Sequence, residues 1–372
     1  MVLWFLPRRV RCKPTEQCGV GDSLCILAAV LSFLVFLPGC DIPGQGDILL
    51  DEGQKHLVKG DWRTARQSFE KALTAYKNDN HGLGEARALG NLGYTYLPAS
   101  DYTKALSYTE SAFNILSKSD MSSPSMLFSY AMTLNNKGAL LSDLGALNEA
   151  EQLILTARQA FDDLWRRIKW NPFSRVDGIS AGHLKNLILD NLATTYRRKG
   201  DVSSGVAGLL QVFQGGLVED RDMARIGLAL TSLQAGKLNE SREYLEKADR
   251  FGDQPENQTI QRVLTPRFRM LQALVLLESG LQEEALTTLG KIDHDAISPE
   301  YQALFHYVKG ETFLTIGSNI KALEEYKTAK ALLEDVLERI PEEMRSRFLE
   351  TTILGIRRVD VFEGASRKLK RP

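Results

Sequence analysis

The sequence predicts an all-α protein built as an array of stacked helix pairs. Three observations predict it. A frame of small and large residues recurs seven times over about 290 of the 372 residues. Gly-Asp and other turn residues interrupt the frame at regular places. Hydrophobic residues make up 43% of the chain, enough for a continuous core. Repeats are the feature to seek first in such a chain, because each pair buries its apolar face only against its neighbours.

The first unit sets the frame with Gly53, His56, Gly60, Asp61, Trp62, Ala65, Phe69 and Ala72. Two helices cross closely only where small residues lie at the contact, and large residues fill the holes on the next turn. Gly tolerates the left-handed backbone that ends the first helix. Asp caps the second by accepting from its free amides. The frame returns as Leu92, Gly93, Tyr96, Ala105 and Ala112, and then as Gly138, Leu141, Ala150, Ile154 and Ala157. Unit four carries Leu192, Ala193, Tyr196, Gly200, Asp201, Gly205 and Leu209. Units five and six are looser: Ala229, Gly236, Ser241, Leu245 and Ala248, then Ala273, Leu276, Gly280, Ala285 and Leu289. Unit seven is clear again, with Gly310, Phe313, Gly317, Ala322, Tyr326 and Ala329.

This pattern resembles the tetratricopeptide repeat family, although the step here is longer than the family's usual length of about 34 residues. The resemblance implies a right-handed superhelix of about seven helix-turn-helix repeats over residues 47–340. The first helix of each pair would line the concave face. Residues 341–362, opening at Pro341 with Met344, Phe348 and Ile353, read as a helical segment capping the last repeat. A basic tail, 363–372, follows. The stretch Asp162 to Gly182 falls outside the frame.

The N-terminus reads as a targeting segment. Arg8, Arg9, Arg11 and Lys13 precede an apolar run, Leu24 to Leu37, that is shorter than the ~20 residues of a comfortable bilayer span. Leu37-Pro38-Gly39-Cys40 resembles the lipobox of bacterial lipoproteins, with Pro38 departing from its usual small or β-branched residue. That resemblance implies a signal peptide over 1–39, a lipid on Cys40, a linker over 40–46 and a periplasm-facing body on the cell envelope. Asp41 resembles an inner-membrane retention signal. The alternative is an uncleaved anchor. All four cysteines (12, 18, 25 and 40) lie in this region, so the repeats hold no thiol chemistry.

Candidate binding residues follow from the frame. Asn91, Asn136 and Asn191 each stand two residues before the small residue of their repeat. This resembles the asparagine ladder of peptide-binding tetratricopeptide proteins, in which each amide pairs with a peptide backbone through one acceptor and two donors. Arg87, Tyr94, Asn135, Asp190, Thr194 and Arg198 are the neighbouring candidates. A second candidate is the patch Trp165, Arg166, Arg167, Lys169 and Trp170, residue types enriched at hot spots. Its ordinary alternative is a long helix packing Trp165 and Ile168 inward.

The expected function is a membrane-anchored interaction module that binds an extended peptide or partner helix and helps assemble or tether an envelope complex. A structural scaffold using its outer helix faces is the rival, and a regulatory arm of an enzyme comes third. The 46 basic and 47 acidic residues leave no basic excess for nucleic acid. No phosphate loop, nucleophile elbow or zinc motif appears, so neither catalysis, cofactor, metal nor small-molecule substrate is expected. Of the five histidines, none is paired at ligand spacing on a helix. His306 reads as packing, and Asp293-His294-Asp295 as a polar loop.

Overall fold

The computed structural model describes residues 44–168, 175–176, 179–215, 218–248, 258–353, 356–361 and 363. Cys40, Asp41, Lys169 and Trp170 lie outside them.

Seven helix pairs follow one another. They are α1 (Gln45–Val58) with α2 (Trp62–Asn78), α3 (Gly82–Tyr94) with α4 (Tyr102–Leu116), and α5 (Pro124–Asp143) with α6 (Leu147–Arg167). Then come α7 (Ala181–Arg198) with α8 (Val202–Gly215), α9 (Val218–Gln234) with α10 (Leu238–Ala248), α11 (Gln258–Glu278) with α12 (Gln282–Leu289), and α13 (Pro299–Thr315) with α14 (Asn319–Glu338). They coincide with the seven repeats read from the sequence. The stretch outside the frame is the end of α6 and a two-residue hairpin, β1 (Arg175–Val176) with β2 (Ile179–Ser180).

Local chemistry sets each pair. The turn between its helices carries one left-handed residue: Gly60, Ser100, Gly145, Gly200, Gly236, Gly280 and Gly317 in order. Asp61, Asp101 and Asp201 cap the second helices by accepting from Thr64, Lys104 and Ser204 amides at 3.1 Å. Such a cap is worth about 1 kcal/mol. Inside a pair the small residue faces a large one. A Cβ on Gly53 would lie 2.5 Å from the Phe69 ring, one on Gly138 2.5 Å from Ile154, and one on Gly310 2.7 Å from Tyr326. These close crossings let the first helices of successive pairs touch as well, from α1–α3 through α11–α13, as a continuous inner layer.

The C-terminal segment differs from a simple cap. It is a 3₁₀ turn (Glu342–Met344), a short helix α15 (Arg345–Glu350) and a hairpin, β3 (Thr352–Ile353) with β4 (Ile356–Arg357). The run Thr351-Thr352-Ile353 is β-branched and leaves the helix readily. The segment also reaches beyond the last pair. Thr351 Oγ1 donates to the Asp143 carbonyl at 3.4 Å, Arg347 lies 3.7 Å from Glu149, and the Arg347 backbone covers Gly145. Next to it, the Thr103 amide and hydroxyl donate to the Arg339 carbonyl at 3.1 and 3.0 Å, and Arg339 Nη1 donates to the Ala99 carbonyl at 2.6 Å. One buried cluster therefore joins Tyr102, Leu140 and Leu144 to Val308, Phe348 and Val361. The superhelix closes on itself.

Two glycines of α3 test the packing rule. Gly90 has no neighbour within 4 Å of a built Cβ, whereas Gly93 would meet Thr109 Oγ1 at 2.9 Å and the Ala105 carbonyl at 3.0 Å. Gly90→Ala is expected to stabilise by about 0.5–1 kcal/mol through helix propensity. Gly93→Ala is expected to destabilise by about 1–3 kcal/mol through overpacking. Thermal denaturation midpoints of the two variants should move in opposite directions.

Candidate functional site

Closure turns the concave face into a cavity of about 220 Å³. Its walls come from the inner layer and from the C-terminal segment. Trp62, Tyr94, Tyr102, Met223, Ile226 and Tyr301 supply apolar and aromatic surface. Arg197, Arg198, Arg267 and Arg358 face three carboxylates, Asp143, Asp190 and Glu300.

Glu300 is a buried carboxylate of the cavity wall. It sits on the first turn of α13, only 5% exposed. The Tyr102 hydroxyl donates to it, and Arg358 donates through Nε at 2.9 Å and again through Nη2. Arg358 is 2% exposed, with its guanidinium 4.0 Å over the Phe348 ring. Burial, together with the Glu300 charge, pushes the Tyr102 phenol well above its ordinary range, so it stays a donor. Burial pushes Arg358 down, but Glu300, Tyr102 and Asp143 together outweigh this and raise it. A buried pair of this kind is costly to break, because the abandoned charge has no water.

A second pair lies nearby. Arg198 donates to Asp143 Oδ1 at 2.5 Å and to Ser142 Oγ at 3.0 Å. Burial pushes the Asp143 carboxyl up, but Arg198 and Arg358 hold it below the usual carboxylate range. Arg197 has a neutral partner, Gln234 Oε1, at 3.2 Å. Burial and the adjacent Arg198 draw it down to about 10, still charged at neutral pH. Burial raises Asp190, with Arg197 opposing and Asp220 adding to the rise. Arg267 stacks 4.5 Å over Tyr301. Burial pushes the Tyr94 phenol up to about 12. The walls therefore offer cationic donors and aromatic faces together.

Five of the nine residues predicted for the groove line this cavity: Tyr94, Asp190, Asn191, Thr194 and Arg198. The other four do not. Asn91 is fully buried, and its amide has no hydrogen-bond partner among the described residues. Arg87 donates to Ser129 Oγ at 3.1 Å. Asn136 borders a cleft of about 30 Å³ between α3, α4 and α5. Asn135 is buried and accepts from Asn191 Nδ2 at 3.0 Å. The three equivalent asparagines therefore do not stand in one open row. Asn191 pairs with Asn135, one residue and about 100° of helix away from Asn136. In the tryptophan patch, Trp165 packs on Phe161 at 5.6 Å, and Arg167 donates to the Met121 and Ser122 carbonyls at 2.8 and 2.6 Å. Arg166 remains exposed beside Asp163.

Sequence reasoning missed Tyr102, Arg197, Arg267, Glu300, Tyr301 and Arg358. One signal was available. Glu300 precedes Leu304 and Val308 at four-residue steps, a carboxylate on an apolar helical stripe. Among the described residues, no group of three or more His, Cys, Asp or Glu converges to hold a metal, and no helix is long and apolar enough to cross a membrane.

Residues 50–120 match the family model described as tetratricopeptide repeat. A Rap protein complexed with Competence and Sporulation Factor aligns over 85% of this chain and 81% of its own, at 12% identity and a TM-score of 0.60. The fold is the tetratricopeptide-repeat superhelix. The Rap conjugation gene regulator of the plasmid pLS20, in complex with the Phr* peptide, aligns over 87% of this chain and 80% of its own, with 14% identity and a TM-score of 0.58. NprR in complex with its cognate peptide NprX aligns over 92% and 89%, with 16% identity and a TM-score of 0.50. No curated protein matches the chain. At these identities the likeness is one of fold. The family model covers the first two of the seven repeats read from the sequence, and the likeness of fold extends over the rest.

Removing Arg358 should leave Glu300 buried with only Tyr102. Arg358→Met is expected to cost about 3–5 kcal/mol in urea denaturation. Adding Glu300→Gln should recover part of that loss, since the uncompensated charge is then gone.

Proposed function

We propose that this chain is a peptide-binding interaction module whose ligand enters the interior cavity. The observation that carries the reading is the convergence of Tyr94, Asp190, Asn191, Thr194 and Arg198, chosen from the repeat frame alone, on one cavity. Apolar and aromatic walls that carry convergent polar groups are a usual form of ligand site, and here the polar groups are numerous. Asn191 and Thr194 suit a peptide backbone. Arg197, hydrogen-bonded to the neutral Gln234, suits a carboxylate. Three structures of similar fold were determined with a peptide or with Competence and Sporulation Factor bound, which supports the same class of partner here.

The size of the cavity limits the ligand. At about 220 Å³ it lies below the ~300–1,000 Å³ of pockets for drug-sized molecules. It takes one or two side chains.

The same proposal includes the N-terminus. Cys40 carries lipid after removal of residues 1–39 and tethers the module, periplasm-facing, to a bacterial envelope membrane, where it helps assemble a complex. The basic start, the apolar run and the lipobox-like Leu37–Cys40 support this. Several acyl chains make a firm anchor at about 0.8 kcal/mol per buried methylene. A scaffold using outer faces is the second reading, favoured by Leu314, Ile316 and Ile320, which are exposed together around the last turn.

One comparison tests the module. The protein is purified from bacterial membranes, and co-purifying peptides are identified by mass spectrometry, for the wild type and for Thr194→Phe, which fills the cavity without removing a charge. The same peptides should be lost from the variant while its helicity stays unchanged. Unchanged peptides would move binding to the outer faces. In the same cells, Cys40→Ser should abolish incorporation of labelled palmitate; retained label would remove the anchor from the proposal.

A further inference from the structure

The histidines, separated in the sequence reading, meet in the fold. His294 lies on the 3₁₀ turn His294–Ala296 between α12 and α13, and His306 lies on α13. Their Nε2 atoms are 3.0 Å apart. Each ring has a carboxylate behind its other nitrogen. His306 Nδ1 is 2.6 Å from Glu325 Oε2, and His294 Nδ1 is 3.7 Å from Asp295 Oδ1. The Glu325–His306 bond is the arrangement that fixes the tautomer and aims the free nitrogen of a metal-ligating imidazole; Asp295, fully exposed and 3.7 Å away, makes no hydrogen bond to His294.

A carboxylate accepts, so with Glu325 Oε2 on Nδ1 of His306, the Nε2 of His306 is the acceptor and Nε2–H of His294 the donor of the contact between the rings. Lys309 Nζ binds the second Glu325 oxygen at 2.7 Å, which keeps Glu325 behind His306 rather than beside a metal.

We propose that His294 and His306 form a two-histidine site for a borderline divalent cation such as Zn²⁺, at the junction of the sixth and seventh repeats. On binding, the His294 proton moves from Nε2 to Nδ1, towards Asp295, and both Nε2 lone pairs take the metal. With bonds of about 2.0–2.1 Å, nitrogens 3.0 Å apart subtend roughly 95°; parting them by about 0.3–0.4 Å gives a tetrahedral angle. His294 sits on a short turn and is 37% exposed against 16% for His306, so it makes that adjustment and leaves two positions to water. The metal clamps the turn that leads directly to Ile297 and Ser298, two residues of the cavity wall.

The test is calorimetric titration of the full chain with ZnCl₂, comparing wild type with His294→Gln and His306→Gln. All three carry the same four cysteines, so thiol binding cancels in the difference. Circular dichroism checks that each is folded, and His294→Gln, on an exposed turn, guards against a folding failure in the other. The wild type is expected to bind one more zinc than either variant. Glu325→Gln is expected to keep that zinc with about ten- to a hundredfold weaker affinity. Equal stoichiometry in wild type and both histidine variants overturns the site. Undiminished affinity in Glu325→Gln overturns the carboxylate-backed arrangement on which it rests.

Discussion

Glu300 is the group on which the closed form of this superhelix depends. A carboxylate 5% exposed needs partners, and its own repeat does not provide them. Tyr102 comes from the second pair and Arg358 from the C-terminal hairpin. Satisfying one charge therefore draws together segments 198 and 58 residues away. Such a network adds little net stability relative to an apolar core, but breaking it is expensive, so it fixes which surfaces meet.

The repeats make that meeting possible. Glycine against Phe69, Ile154 or Tyr326 lets paired helices approach, and first helices then touch along the array. The inner layer curves, and its ends come within reach. Closure combines the buried Glu300 network and the shared apolar cluster with more exposed contacts: the backbone bonds at Thr103 and Arg339 and the Arg347–Glu149 ion pair. Exposed bonds of this type open at lower cost than a packed core. Entry to the cavity is expected there rather than by separation of the repeats.

Much of the architecture was legible in local chemistry. Each turn glycine, each capping aspartate and each small–large pair lies within one repeat, where spacing reveals it. Ser100 in a left-handed turn was the one departure, and Asp101 still marks the cap that follows. The site was half legible. Tyr94, Asp190, Asn191, Thr194 and Arg198 follow from knowing which helix faces inward. Arg358, Glu300 and Tyr102 do not, because their meeting is set by closure across the array. A similar limit explains Asn135: one residue rotates a side chain by about 100°, and a frame accurate to a residue does not decide between neighbours. Phe348, read as a capping residue, shares a buried cluster with Val308, Leu333 and Val336 of the last repeat and also packs edge-on against Tyr102 of the second.

Closure is tested most directly by hydrogen exchange at the Thr103 amide. Thr103 is the second residue of α4, where a helical amide has no partner within its own helix. In the closed superhelix it donates to the Arg339 carbonyl at 3.1 Å. The account predicts that Thr103 exchanges far more slowly than the equivalent first-turn amide of α2, Arg63. Equal, rapid exchange at both would mean that the array is open in solution, and the cavity would no longer be the place to look for a ligand.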